Sequence, residues 1–320
     1  NYCGDLFKTG RVKISLSPNP FTLKSKFRQE LDLETASVLI NSDGIQIRIW
    51  VDANKSVYHV TIESPQTLQV SVECDLWERF DHSVYNTFVS KGEEKSLPDY
   101  SPTTQDSIIP CKDGLIWLYN VGNKSVYQAD LDYYGVSHLS HIYPDPFKYT
   151  IFGNFVKSKD LTVKEGKLDG KIRKTDITIY ALTKQTASPD IWIKKIRSMA
   201  EESLSLKNDW RQHCRWWKNF WERSWICATD NQLPFSEREI FCGEVIQGKR
   251  IEKDVPALIS QNYQTFRYLM ATQGRGSVPV KFNGGLFTQQ LLVDKDDAVK
   301  RTGKKDTLSY GLLTHPDDRL

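Results

Sequence analysis

No apolar run in this 320-residue chain approaches the ~20 residues that a helix needs to cross a bilayer. The longest, Ile45–Val51 and Gly114–Leu118, are short. A strong charge of one sign is missing too: the net charge is +3, too small to argue for a nucleic acid or a membrane surface as partner. The densest basic run, Lys300, Arg301, Lys304 and Lys305, follows Asp294, Asp296 and Asp297 and reads as solvated surface. No cysteine pair has C-x-x-C spacing. Cys3, Cys74, Cys111, Cys214, Cys227 and Cys242 are scattered, whereas a zinc site needs ligands clustered round one ion. The histidines are equally dispersed. His138 and His141 are near neighbours, but nothing beside them completes a metal site or a triad. No metal and no cofactor are therefore expected. A basic–apolar–small-residue leader is also absent, and the chain opens at Asn1, which reads as a processed chain or a fragment.

What is present describes a globular protein. The composition is 39% hydrophobic and 26% charged, and the length suits about two domains. Two glycosylation sequons, at Asn54 (Asn54-Lys55-Ser56) and Asn123 (Asn123-Lys124-Ser125), tilt the expectation toward a secreted or extracellular protein. The string Asn-Lys-Ser-Val-Tyr occurs at both sites, but its surroundings do not repeat, so no duplication is implied.

From Arg11 to about Thr183 the period is two, the mark of strands that bury one face. Val12, Ile14 and Leu16 alternate with polar residues until Ser17-Pro18-Asn19-Pro20 stops the strand. Ile45, Ile47, Ile49 and Val51 alternate with Gln46, Arg48, Trp50 and Asp52, which places the first set inward and the second outward. Tyr58, Val60 and Ile62 follow, then Leu68, Val70, Val72 and Cys74. Asp43-Gly44 and Ala53-Asn54-Lys55 sit where tight turns would join antiparallel neighbours. Leu115–Tyr119 and Ile177–Leu182 are again β-rich, and the polar stretch from Lys91 to Pro110 reads as a surface loop. Asp32 and Asp52 are most simply turn or edge carboxylates.

The period changes at Ser188-Pro189-Asp190, where a serine N-cap, a proline with no N–H to lose and an acid in the first turn start a helix. Ile191–Arg223 fits one long helix, or two joined near Ser203–Leu206. Trp210, Trp217 and Trp221 share one face within a dense aromatic block, together with Trp216, Phe220 and the following Trp225. Indole faces stack on sugars, but broad apolar anchors suit a helix wedged between domains better. A further helix is predicted from about Pro256 to Ala271. The Gly- and Pro-bearing segment Ser277–Thr288 then suits a pocket-lining loop, and the pattern is weak from Gln289 to Leu320.

Three ordered stretches carry a family resemblance. Gly10–Pro20, Phe27–Leu33 and Ile49–Asn54 resemble the sandwich of the domain-of-unknown-function 5703 family. Trp216–Ile226 resembles that family's linker, and Tyr263–Thr288, with Arg267-Tyr268-Leu269 and Lys281-Phe282-Asn283-Gly284, resembles its first barrel helix and loop. The family's relatives are six-hairpin glycosidases, near glycoside hydrolase family 95. The resemblance implies a multidomain β + α protein: a large antiparallel β-sandwich (a supersandwich, residues 1–187), a helical linker (188–226), and the start of an incomplete (α/α)6 barrel (227–320). It implies an inverting glycoside hydrolase, with carbohydrate as partner, whose general acid and base lie beyond residue 320. It also places Lys281, Asn283 and Gly284 on a substrate-side loop, and Asp317 and Arg319 near substrate. A loop amide that caps its own turn, and a frayed terminus, are the competing readings of those two groups. A non-enzymatic carbohydrate-binding or interaction role for the sandwich is the alternative to an enzyme.

Overall fold

Turn chemistry and strand length together lay out the first half of the chain. The computed structural model describes residues 11–75, 107–123, 127–128, 131, 134–186, 188–202, 205–226, 228, 245–246, 249–250 and 255–273. The first five strands are β1 (Arg11–Ser17), β2 (Phe27–Asp32), β3 (Ser37–Ser42), β4 (Ile45–Val51) and β5 (Val57–Asp75). They are followed by β6 (Ser107–Cys111), β7 (Gly114–Asn120), β8 (Thr150–Ser158), β9 (Thr162–Lys164) and β10 (Lys167–Gln185). Asp43 and Gly44, at φ 48° and 86°, close a two-residue turn whose positive angles match the twist of β3 and β4.

These strands form one ten-stranded sheet in the order β2-β3-β4-β5-β10-β8-β7-β6, with β1 added to β5 and β9 to β10. Every pairing within it is antiparallel. The long strands β5 and β10 serve two leaves. Their ladder breaks between Ile172 and Lys174, whose partners Leu68 and Glu63 lie further apart along β5. Unequal lengths on the two strands bend the pair there. Beyond the bend, β1 and β9 flank β5 and β10; before it, β4 and β8 do. Both leaves feed one core, in which Ile45, Ile47, Val60 and Ile62 join Leu68, Val70, Val72 and Leu168. The expected large antiparallel β-architecture followed by helices is therefore what the chain adopts.

Among the described residues, three α-helices follow the sheet: α1 (Pro189–Glu201), α2 (Leu206–Glu222) and α3 (Val255–Gln273). A two-residue hairpin pairs β11 (Val245–Ile246) with β12 (Lys249–Arg250). The junction between α1 and α2 falls at Ser205, whose side chain accepts the Asn208 N–H at 3.3 Å. Ser188 does precede α1, but its side chain makes no cap; its backbone carbonyl accepts the Trp192 N–H instead. Proline at the first helical position leaves one fewer orphan donor for that serine to satisfy.

Helices α1 and α2 cover the outer face of the sheet. Trp192 and Ile196 of α1 lie in a second core with Val57, Ile116, Leu118, Ile151, Phe155 and Tyr180. Strand β7 is consequently buried on both sides, Leu115 toward the inner core and Ile116 and Leu118 toward α1, which explains its unbroken apolar run. Two expectations fail here. Ser107–Pro110 of the presumed loop belongs to β6, where Pro110 sits on an edge strand that can spare its N–H; residues 91–106 lie outside the described residues. On β4, Trp50 is buried at 3% exposure and Val51 is 48% exposed, the reverse of the simple alternation. The face called outward carries a helix.

Two predictions arise from the sheet. A Cβ on Gly153 would stand 2.0 Å from the Trp117 carbonyl oxygen, with the Leu118 Cα at 2.8 Å. Backbone cannot yield as a side-chain tip does, so Gly153→Ala is expected to cost about 2 kcal/mol in a urea titration. Glu73 lies between Lys13 at 2.9 Å and Lys167 at 2.6 Å. Hydrogen bonds from Lys167 and then Lys13 hold its carboxyl down from 4.5 to about 2. The folded-state value is the lower one, so this stabilisation is complete above pH 4.5 and is lost as pH falls toward 2. Glu73→Gln should flatten the pH dependence of the melting midpoint in that window, and added salt should reduce the difference.

Candidate functional site

The seam between β4, β5 and α2 holds the densest group of polar and aromatic side chains among the described residues. It begins with the turn after β4. The Asp52 N–H donates to the Val57 carbonyl at 2.8 Å, and Asp52 Oδ1 accepts the Asn54 N–H at 2.7 Å. This turn aims Trp50, Asp52 and Lys55 at the helix instead of at solvent. From β5, His59 projects to the same face and stacks on Trp50 with ring centroids 4.0 Å apart.

Helix α2 supplies the other half. Its spacing of four places Asp209, His213 and Trp217 on one face, all three buried. Lys55 Nζ donates to Asp209 Oδ1 at 2.5 Å. His213 reaches the backbone of two separate turns: Nδ1 accepts the Ala53 N–H at 3.1 Å, and Nε2 faces the Thr35 carbonyl at 2.7 Å. An acceptor at Nδ1 and a carbonyl opposite Nε2 define one neutral tautomer, with the proton on Nε2. Trp210 meets the edge of Trp50 at 5.1 Å and lies under the Arg48 guanidinium at 4.8 Å. Trp221 Nε1 donates to the Leu33 carbonyl at 2.7 Å. The tryptophans therefore anchor the helix to the sandwich. Trp225, 70% exposed, lies outside that block.

The same row, continued through Trp217 and Trp221, also receives α3. Trp217, with Ala36 and Ala53, forms a third core against which Trp216, Phe220, Trp221, Tyr268 and Ala271 pack. The Arg267 guanidinium lies 4.9 Å from the Phe220 ring centre and 5.2 Å from that of Trp221, and donates to the Ser224 carbonyl. Ser260 Oγ accepts the Ala228 N–H at 2.7 Å. Sandwich, α2 and α3 are thus joined through a single aromatic stack.

Within the seam, His59 stands apart. It is 2% exposed, and neither ring nitrogen has a hydrogen-bond partner. Burial pulls its pKa from 6.5 to about 4, against the raising influence of Asp209, so the ring is neutral near pH 7. One His59 nitrogen and one oxygen each from Asp52 and Asp209 all lie within 4.8 Å of one another. The chemistry of the seam is that of a closed polar junction, with Asp52, His59, Asp209 and His213 all buried. A shallow depression of about 350 Å³ elsewhere is lined by Gly44, Gln46, Glu63, Ser64, Pro65, Arg173 and Lys174, with no aromatic platform.

The residues expected to meet substrate (Lys281, Asn283, Gly284, Asp317 and Arg319) lie outside the described residues. Asn54 and Asn123 are both exposed, in turns. Asp32 holds its own turn, accepting the Glu34 N–H at 3.0 Å. His138 and His141 are exposed. The sequence reading missed His59, Asp209 and His213; Asp52 takes the turn role it was assigned, accepting the Asn54 N–H, and also joins the seam. The available signal was the helical spacing of four that joins Asp209, His213 and Trp217.

Fold and seam together define a bent antiparallel β-sandwich with a tryptophan-rich linker helix locked to its outer face. The chain belongs to the family described as Domain of unknown function (DUF5703), whose N-terminal domain matches residues 3–226. Among solved structures, one assigned as a kojibiose phosphorylase from the human microbiome is similar at 10% identity and a TM-score of 0.38, too low to carry an argument. The alignment covers 83% of this chain and 31% of that one, so this chain spans under a third of its length. No curated protein matches. Among the described residues, no helix is long and apolar enough to cross a membrane.

Proposed function

We propose that this chain is the scaffold portion of a glycoside-active protein, in which the sandwich and α2 hold a helical barrel that cleaves glycosidic bonds with inversion. The observation that carries the reading is the double use of α2: it is bonded to the sandwich through His213 and Trp221, and it packs the next helix through Trp217 against Tyr268. An arrangement of this kind sets the position of whatever helices follow. Inversion requires an acid and a base on opposite faces of the sugar, far enough apart to admit water. Asp52 and Asp209 are closed off from substrate and are not that pair. The acid and base belong to barrel segments other than the described residues, and Lys281, Asn283 and Gly284 contribute substrate contacts. The two sequons, whose Asn54 and Asn123 are exposed, favour an extracellular setting.

Aglycone release from a panel of aryl glycosides tests the reading. The 320-residue chain alone should give none, and the product of the complete reading frame should turn over. Turnover by the chain alone, or by neither, contradicts the proposal.

One observation favours a second reading, a carbohydrate-binding role without catalysis. The segment between β7 and β8 exposes Tyr134, Tyr143, Phe147 and Tyr149, and exposed aromatic rings suit the apolar faces of sugars. Specific glycan binding by the chain that is lost in Tyr143→Ala would support it over the first.

A further inference from the structure

The geometry points to a metal site in the seam beneath α2, in which His59, Asp52 and Asp209 bind one divalent ion of the zinc class. Three observations converge. First, the possible ligand atoms, one nitrogen and two carboxylate oxygens, lie within 4.8 Å of one another, and all three residues are buried. Zinc bonds of about 2.0–2.1 Å would draw tetrahedral ligand atoms to about 3.3 Å, a contraction within reach of side-chain torsions. Second, His59 is 2% exposed with both ring nitrogens unpartnered. A buried imidazole normally gives one nitrogen to a donor and one to an acceptor, so its environment lacks a partner that an ion supplies. Third, two carboxylates, Asp52 and Asp209, stand beside that imidazole, and the Lys55 ammonium pairs with Asp209 Oδ1 at 2.5 Å.

The donor set selects the ion. Imidazole with two carboxylates suits zinc or manganese, whereas calcium and magnesium favour all-oxygen cages. Lys55 disfavours a second ion and limits the site to one. His213 is committed to the Ala53 N–H and the Thr35 carbonyl, so it orients the helix that carries Asp209 and is not itself a ligand. Because the ligands come from the turn after β4, from β5 and from α2, the ion would clamp the linker helix to the sandwich. This role is independent of any glycoside chemistry.

The test uses the full chain, stripped with a chelator and titrated with zinc chloride by calorimetry, with bound metal counted by mass spectrometry. One zinc per chain is expected, with a rise of about 5 °C in the melting midpoint at saturation. Asp52→Asn should weaken binding at least tenfold. His59→Phe, which keeps a flat ring on Trp50, should abolish it, and the double variant His138→Ala/His141→Ala should bind as the parent does. If the His59 variant does not fold, cobalt substituted into the parent keeps the proposal falsifiable. Visible bands of a four- or five-coordinate ion without thiolate charge transfer support the site. Thiolate bands, zinc binding unaffected by Asp52→Asn, or no zinc at one equivalent overturn it.

Discussion

Trp217→Ala is expected to lower the stability of the chain by about 3–5 kcal/mol, the largest loss from any single truncation in α2. Trp217 is 3% exposed and is the one buried side chain of α2 that touches both neighbours. Its ring lies 6.0 Å from Trp221, 5.4 Å from Phe220 and 5.4 Å from Tyr268. Its Nε1 has no hydrogen-bond partner, so the cost is one of packing and cavity formation, without a lost polar bond. Trp217→Phe should therefore recover much of the loss. Trp192→Ala gives the contrast. That residue is fully buried against the sheet by α1, away from the α2–α3 stack. It should destabilise to a similar extent, yet leave the coupling between Trp217 and Tyr268 intact in a double-mutant cycle.

His213→Ala should cost about 2–4 kcal/mol by a different route. The imidazole is fully buried and satisfies the Ala53 N–H and the Thr35 carbonyl, one from each of two turns. Removing it takes a partner from the buried Ala53 N–H and from the half-buried Thr35 carbonyl, and a buried group left unpaired costs about 1–3 kcal/mol. Repacking around the smaller side chain cannot replace either bond, so His213→Leu, which restores volume alone, should remain close to the alanine variant. His213→Gln, with a donor and an acceptor of its own, should recover part of the difference. Urea titrations of the four proteins would rank them parent, Gln, then Leu and Ala together.

Period and capping residues made much of the architecture legible. Val12, Ile14 and Leu16 alternate in burial as their pattern predicts, and Asp43-Gly44 forms the turn its chemistry demands. The two-helix alternative near Ser203–Leu206 is realised because Ser205 caps the second helix. The failure at β4 has a physical cause. A period-two pattern assigns one face inward and one outward, and β4 has a partner on each side. Trp50 and Asp52 looked solvent-facing because the residues that bury them, Trp210, His213 and Asp209, lie more than 150 positions along the chain. No local rule links β4 to a helix at that separation. The seam was therefore half visible, as a tryptophan block needing a surface, while the surface it needed was assigned to water.

Helix α2 belongs to the same cooperative unit as the sandwich. Native-state hydrogen exchange on the backbone amides tests it most directly. Amides in the middle of α2, near His213 and Trp217, should open with the same free energy as those of β5 near Val60 and Ile62, and Trp217→Ala should lower both together. Exchange of α2 at a much smaller opening free energy, with β5 unchanged by the substitution, would contradict the account.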